Sequence, residues 1–333
     1  MVGAAAIVAG LIYAFVTLVD PFDTLPLSPK LDRAPVATNA RFSFPALARS
    51  EAFDSALFGT STSRLLRPAA LNPLFDVRLV NLSMNDATAY EMTRMMGVFS
   101  KAHAAPKLAM VGLDTRWCVT GDQWQLLTVR AFPEWMYGPN RWAGYAEMYN
   151  LHAIETAGRQ FGIVTGIKAV VYGRDGYTSF VPPDSAYDPV RVAANLTSSG
   201  PNIPEGTRSG PSEGWRFPTL ELLRDALAAL PDGTRKLLFF VPYHRNLLSP
   251  DGSAGAMLWN ECKRRVTDLA RAIPNTVAVD FMLPSPITER DDHYWDPLHY
   301  RVGIADRLAS GLAGADRGEA SPDYRILWHQ VRR

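Results

Sequence analysis

Ser55-Ala56-Leu57-Phe58-Gly59-Thr60-Ser61-Thr62-Ser63-Arg64 reads as a short apolar strand, Ser55–Phe58, that turns through one glycine and a run of hydroxyl side chains into a helix beginning near Arg64. The same pattern recurs downstream. Apolar strand candidates follow at Val77–Met84, Leu108–Leu113, Lys236–Pro242 and Thr276–Phe281. Helical patterns separate them: Ala87–Ala102 with Asp86 as its N-cap, Thr219–Ala229, Ala254–Ile273 and Val302–Leu312. Strands that alternate with helices are joined by crossovers, which give a parallel sheet covered on both faces. The expected architecture is therefore α/β, a three-layer flavodoxin-like sandwich around a parallel sheet of about five strands.

Residues 116–215 interrupt that rhythm. They begin with Trp117, Trp124, Phe132, Trp135, Tyr137 and Trp142, continue through a helical pattern over Ala143–Phe161, and end in Gly-, Pro- and Ser-rich sequence. This aromatic-rich insertion is expected over the C-terminal edge of the sheet, where open α/β sheets bind ligands. Its aromatics read as packing under a long loop, with a sugar-stacking platform as the alternative. Upstream of the domain, Val2 to Val19 carries no charge and ends at Asp20-Pro21. A spanning helix needs about 20 apolar residues and tolerates about 17, so residues 1–20 are expected to form an uncleaved membrane anchor. A cleaved signal peptide is the alternative, although no basic segment precedes the run. The proline-rich residues 21–50 read as an extended linker, 51–315 as the folded domain and 316–333 as a C-terminal tail.

Composition narrows the partners. With 34 basic and 33 acidic side chains among 333 residues, the net charge of +1 gives no electrostatic footprint for nucleic acid. Cys118 and Cys262, the two cysteines, lack the clustering of a zinc site. They are expected as two buried thiols, with a single disulfide as the alternative. No cofactor motif and no metal are expected.

The chemistry concentrates near the two ends of the domain. A serine hydroxyl needs an imidazole to take its proton, and the imidazole needs a carboxylate to fix its tautomer. Ser61 at the first strand's exit, with His299 and Asp296 in Asp296-Pro297-Leu298-His299, offers that set. Alternatives are a Ser/Thr-rich helix cap at residues 60–63, with Ser63 as a second nucleophile candidate, and a metal site built from Asp291, Asp292, His293, Asp296 and His299. Tyr243, His244 and Arg245 follow the fourth strand and so fall on the same edge, where Tyr243 and His244 are candidate substrate contacts.

The Gly59-Thr60-Ser61 turn after the first strand and the terminal block Asp291-Asp292-His293-Tyr294-Trp295-Asp296-Pro297-Leu298-His299-Tyr300 resemble the SGNH (GDSL-type) esterase and acyltransferase superfamily, in particular its membrane-anchored cell-envelope branch. That resemblance implies an SGNH sandwich, a Ser61-His299-Asp296 triad, and transfer of an acyl group to or from a cell-envelope or exported glycan. It also implies a domain on the outer side of the inner membrane and a membrane acyltransferase as a partner. Two inner blocks depart from the family. After the second strand Asn85 or Asp86 stands where an oxyanion glycine is expected, and Asp114 in Gly112-Leu113-Asp114-Thr115 stands where the family has an amide donor. An ionised Asp114 cannot donate to an oxyanion; either Asn85 supplies the missing donor or Asp114 forms a structural pair with Arg116. Two rivals are carried forward: a non-catalytic SGNH-like module that binds a glycan or a protein partner, and a secreted esterase for small esters.

Overall fold

The computed structural model describes residues 2–36 and 39–331. Its six strands are β1 (Ser55–Phe58), β2 (Leu79–Asn81), β3 (Leu108–Leu113), β4 (Arg235–Phe240), β5 (Thr276–Asp280) and β6 (Arg325–His329). They form one sheet in the order β2-β1-β3-β4-β5-β6. The first five are parallel and β6 runs antiparallel to β5. Strands β1, β2, β3 and β5 are buried along their whole length and β4 from its second residue, as expected of a parallel sheet covered on both faces. The chain is thus α/β, with a mostly parallel sheet flanked by helices and compatible with a three-layer sandwich.

The helices in chain order are α1 (Val2–Val19), α2 (Ala40–Ala48), α3 (Ser61–Arg64), α4 (Pro68–Phe75), α5 (Ala89–Ala102), α6 (Glu134–Tyr137), α7 (Gly144–Glu147), α8 (Leu151–Val164), α9 (Pro189–Thr197), α10 (Pro218–Ala228), α11 (Ala254–Ala272) and α12 (Val302–Asp316). Helix α10 packs between α5 and α11, while α12 packs against α4. Strand order reverses at β1, whose neighbours are β2 on one side and β3 on the other. A crevice opens at such a switch point, and Ser61 stands at its lip.

Several expectations change. Strand β6 lies in the segment expected as a tail; its residues are only partly covered and it pairs at an edge, so it lacks the continuous apolar signature of the inner strands. Residues expected as an extended linker are packed onto the domain. Phe22 and Leu25 are buried, and α2 places Phe44 and Ala48 in the core. Arg41 of α2 forms a two-point ion pair with Glu91 of α5, through Nε to Oε1 at 3.1 Å and Nη2 to Oε2 at 2.5 Å. Glu91 also closes a capping box with Thr88, so Thr88 rather than Asp86 caps α5. The helical pattern over 143–161 is divided at Met148–Asn150, where Asn150 caps α8 by accepting from Ala153 N at 2.9 Å. Cys118 and Cys262 form a disulfide in place of the two buried thiols expected.

Helix α1 is long and apolar enough to cross a membrane or to act as a signal sequence. It is exposed over most of its length. Its last turn is buried on one side through Val16 and Val19, where it meets α8.

Candidate active site

Because β1 to β4 are parallel, the residues that follow them emerge at one edge: Ser61 after β1, Asn85 and Asp86 after β2, Asp114 after β3, Tyr243 and His244 after β4. The turn after β1 is tight. A Cβ on Gly59 or Gly112 would collide with the Ser63 side chain, so both glycines clear space for it. Ser63 is fully buried, and its Oγ has no hydrogen-bond partner. Ser61 is the partly exposed hydroxyl and lines the cleft.

His299 arrives from the C-terminal block on a loop whose shape follows from the Asp-x-x-His spacing. Asp296 Oδ1 accepts from Leu298 N at 2.8 Å and His299 N at 2.9 Å, which bends the backbone so that Oδ2 meets His299 Nδ1 at 2.7 Å. A carboxylate only accepts, so the imidazole proton sits on Nδ1 and Nε2 is left to accept from Ser61 Oγ at 2.9 Å. Burial pushes the Asp296 carboxyl upward, but hydrogen bonds from the His299 ring and the two amides outweigh it and hold the group below its ordinary range. The ring of Phe180, from the insertion, meets the imidazole in an edge-to-face arrangement with 5.3 Å between ring centres.

Three tethers hold this loop in register with the strand exits. Tyr300 Oη donates to Thr62 O at 2.6 Å, Tyr294 Oη to Pro242 O at 3.3 Å, and His244 N to Pro297 O at 2.9 Å. Tyr294 and Tyr300 face each other across a backbone bridge, with Trp295 N donating to His299 O at 2.8 Å.

A cleft of about 300 Å³ opens beside Ser61, lined by Thr60, Asp86, Asp114, Arg116 and Tyr243 together with Asn202, Ile203 and Glu205 from the later part of the insertion. Asp114 accepts from Thr60 Oγ1 at 2.5 Å and from Arg116 N at 2.9 Å. Burial raises its carboxyl above the usual range despite these bonds. Each of its oxygens accepts one of these bonds, so Asp114 organises the turn. Arg116 contributes its backbone to Asp114 while its guanidinium reaches Asp86 at 2.5 Å and Gln125 at 3.2 Å.

Two expected contacts lie elsewhere. The Asn85 side-chain oxygen accepts from Arg64 Nη1 at 3.3 Å, and Asn85 is not among the residues that line the cleft. His244 is buried, with Nε2 3.2 Å from Asp291 Oδ1 and Nδ1 accepting from Asn246 N at 3.3 Å. Burial lowers its pKa despite the Asp291 contact. Its place is in the support of the Asp296–His299 loop, because its amide faces Pro297. Tyr243 does line the cleft, but it is buried, and that burial raises its phenol well above the ordinary value. Arg116, Phe180, Asn202 and Glu205 were not legible as site residues because loop paths bring them in and no spacing marks them.

No protein-family model and no curated protein matches this chain. What the site can do is therefore argued from its own geometry.

Proposed function

We propose that this chain is a serine esterase or O-acyltransferase of the SGNH type, acting on an acyl ester of a cell-envelope or exported polysaccharide. The observation that carries the reading is the continuous line of hydrogen bonds from Asp296 through His299 to Ser61, at the mouth of a polar cleft. Ser61 Oγ attacks the acyl carbonyl while its proton passes to His299 Nε2. The tetrahedral intermediate collapses when the leaving alkoxide takes that proton back, leaving an acyl-serine. A sugar hydroxyl or water then gives its proton to His299 and attacks the ester, restoring Ser61.

The Ser61 amide heads α3, where backbone N–H groups lack intrahelical partners, and it serves as the oxyanion donor. Helix α1 anchors the domain on the outer side of the inner membrane, beside a membrane acyltransferase that supplies the acyl donor. The Cys118–Cys262 disulfide supports that side, because disulfides persist in oxidising compartments. The test is acid-quenched peptide mass spectrometry after exposure to p-nitrophenyl acetate, with and without a glycan acceptor. An acetyl group on the Ser61 peptide, discharged faster when the acceptor is added, is expected. Asp114 favours a second reading, a non-catalytic glycan-binding module, since a carboxyl group that accepts from Thr60 and Arg116 lines the cleft where an amide donor is expected, and Asn85 is not among the lining residues. Glycan binding with no acetylated Ser61 would select it.

A further inference from the structure

We infer that α8 and the loop after it lie in the plane of the membrane, half-immersed in the interface, so that the domain is docked on the bilayer rather than tethered above it. The inference rests on reading α1 as a membrane span.

The first observation is how the two helices cross. Tyr13 meets the ring of Tyr149 at 6.0 Å and donates its hydroxyl to Tyr145 O at 2.9 Å, whereas Phe15 meets Phe161 at 5.7 Å. Along α1, Tyr13 and Phe15 are separated by about 3 Å of rise; from Leu151 to Phe161, α8 rises about 15 Å. At about 100° per residue the two side chains of α1 leave on opposite sides of the helix. One helix thus lies across the other, with Val16 buried at the crossing. If α1 follows the membrane normal, α8 runs in the membrane plane.

The second observation is depth. The apolar run of α1 continues to Val19, and the first charged residue is Asp20. The hydrocarbon boundary therefore falls near Val19, and Tyr13 lies about 9 Å inside it at 1.5 Å per residue. Whatever touches Tyr13 and Phe15 is carried past the headgroups with its apolar side at that depth, within the roughly 5–10 Å to which interfacial helices bury their apolar face.

The third observation is what this region exposes. Trp142, Tyr149, Leu151, Phe161, Ile167 and Val171 are 46–76% exposed. Such an apolar group is costly in water, and on α8 it borders exposed His152, Glu155 and Arg159, the division into apolar and polar sides that an interfacial helix carries. Lys168, also exposed, stands beside Ile167 within reach of anionic headgroups.

The fourth observation removes the flexible tether. Arg33 caps the end of α1, donating from Nε to Val19 O at 2.8 Å, and also reaches Asp23 at 3.0 Å and Ser28 at 2.7 Å. Asp20 is buried and accepts from Leu25 N at 2.9 Å. The span is therefore fixed to the domain, and the domain's tilt on the bilayer is fixed with it.

Cys118 and Cys262 are already paired, so single cysteines can be introduced for nitroxide labelling without touching them. The full chain, reconstituted into vesicles of phosphatidylethanolamine and phosphatidylglycerol, carries the label at Leu151→Cys, Ile167→Cys, Ile7→Cys or Val129→Cys. Collision with oxygen is compared with collision with a water-soluble nickel chelate. We expect oxygen to dominate at positions 7, 151 and 167 and the chelate to dominate at 129. Oxygen dominating at 7 while the chelate dominates at 151 and 167 would overturn the docked arrangement and leave the span standing. The chelate dominating at position 7 as well would overturn both.

Discussion

Ser63 shows how tightly the turn after β1 is built. Its side chain occupies the space that a Cβ would need at Gly59 and at Gly112, so Gly112→Ala should overpack the β1–β3 junction and cost about 1–3 kcal/mol. Adding Ser63→Ala to that variant should return part of the loss, and urea denaturation of the two variants against the wild type measures the non-additivity. Asp114 makes a second residue-scale prediction. A carboxyl whose pKa is raised on folding contributes stability in full below its unfolded value and loses it as pH rises through the folded value. Relative to Asp114→Asn, the wild type should therefore lose stability as pH climbs above 3.8, the ordinary carboxyl value, with the difference levelling off above the raised pKa. Denaturation midpoints across that range read the sign directly; a difference that grows in favour of the wild type would reject the raised pKa. At this scale the sequence was most legible where one residue shapes its own neighbourhood. Asp296 makes both the turn and the contact to His299, and the three-residue spacing shows it. The contact of Asn85 with Arg64 was not legible, because Arg64 comes from another turn and no spacing announces it.

At the scale of elements, two links decide how the less regular parts are held. Glu91 binds Arg41 and Thr128 within the core, so Glu91→Gln leaves a buried guanidinium with no counter-charge. Removing one partner of a buried pair costs about 3–5 kcal/mol. That loss should appear in chemical denaturation, with α2 exchanging its amides first. The disulfide joins the start of the insertion to α11 across a separation of 144 residues. Closing a loop that long constrains the unfolded chain, so Cys118→Ser with Cys262→Ser should cost about 2–5 kcal/mol. Comparing the wild type with and without reductant separates the cross-link from the substitution. The five parallel strands could be read from sequence because burial on both faces makes each a short continuous apolar run. Strand β6 could not, being a half-exposed edge, and neither could α2, whose Pro45 and sparse periodicity resemble those of a linker until Arg41 finds Glu91.

On the scale of the whole molecule, the parallel sheet gathers strand exits from distant parts of the chain along one edge, and the C-terminal block returns to meet the first. Ser61 and His299 are separated by 238 positions, yet three tethers bring them within hydrogen-bond distance. That convergence could be anticipated from the alternation of strands and helices. The insertion's wall could not, because its path through residues 173–206 follows individual contacts such as Thr120 N to Glu205 O at 3.1 Å. On the proposed reading, this convergence activates Ser61. The most direct measurement is covalent labelling of the folded protein with a fluorophosphonate, followed by mapping of the modified peptide. We predict a single adduct on Ser61, absent in Ser61→Ala. Its formation should be slowed in His299→Ala and in Asp296→Asn by about 10³–10⁴-fold, as expected when base or tautomer is lost. Wild-type protein that stays unlabelled while folded, or labelling that persists at the same rate in His299→Ala, would contradict the account.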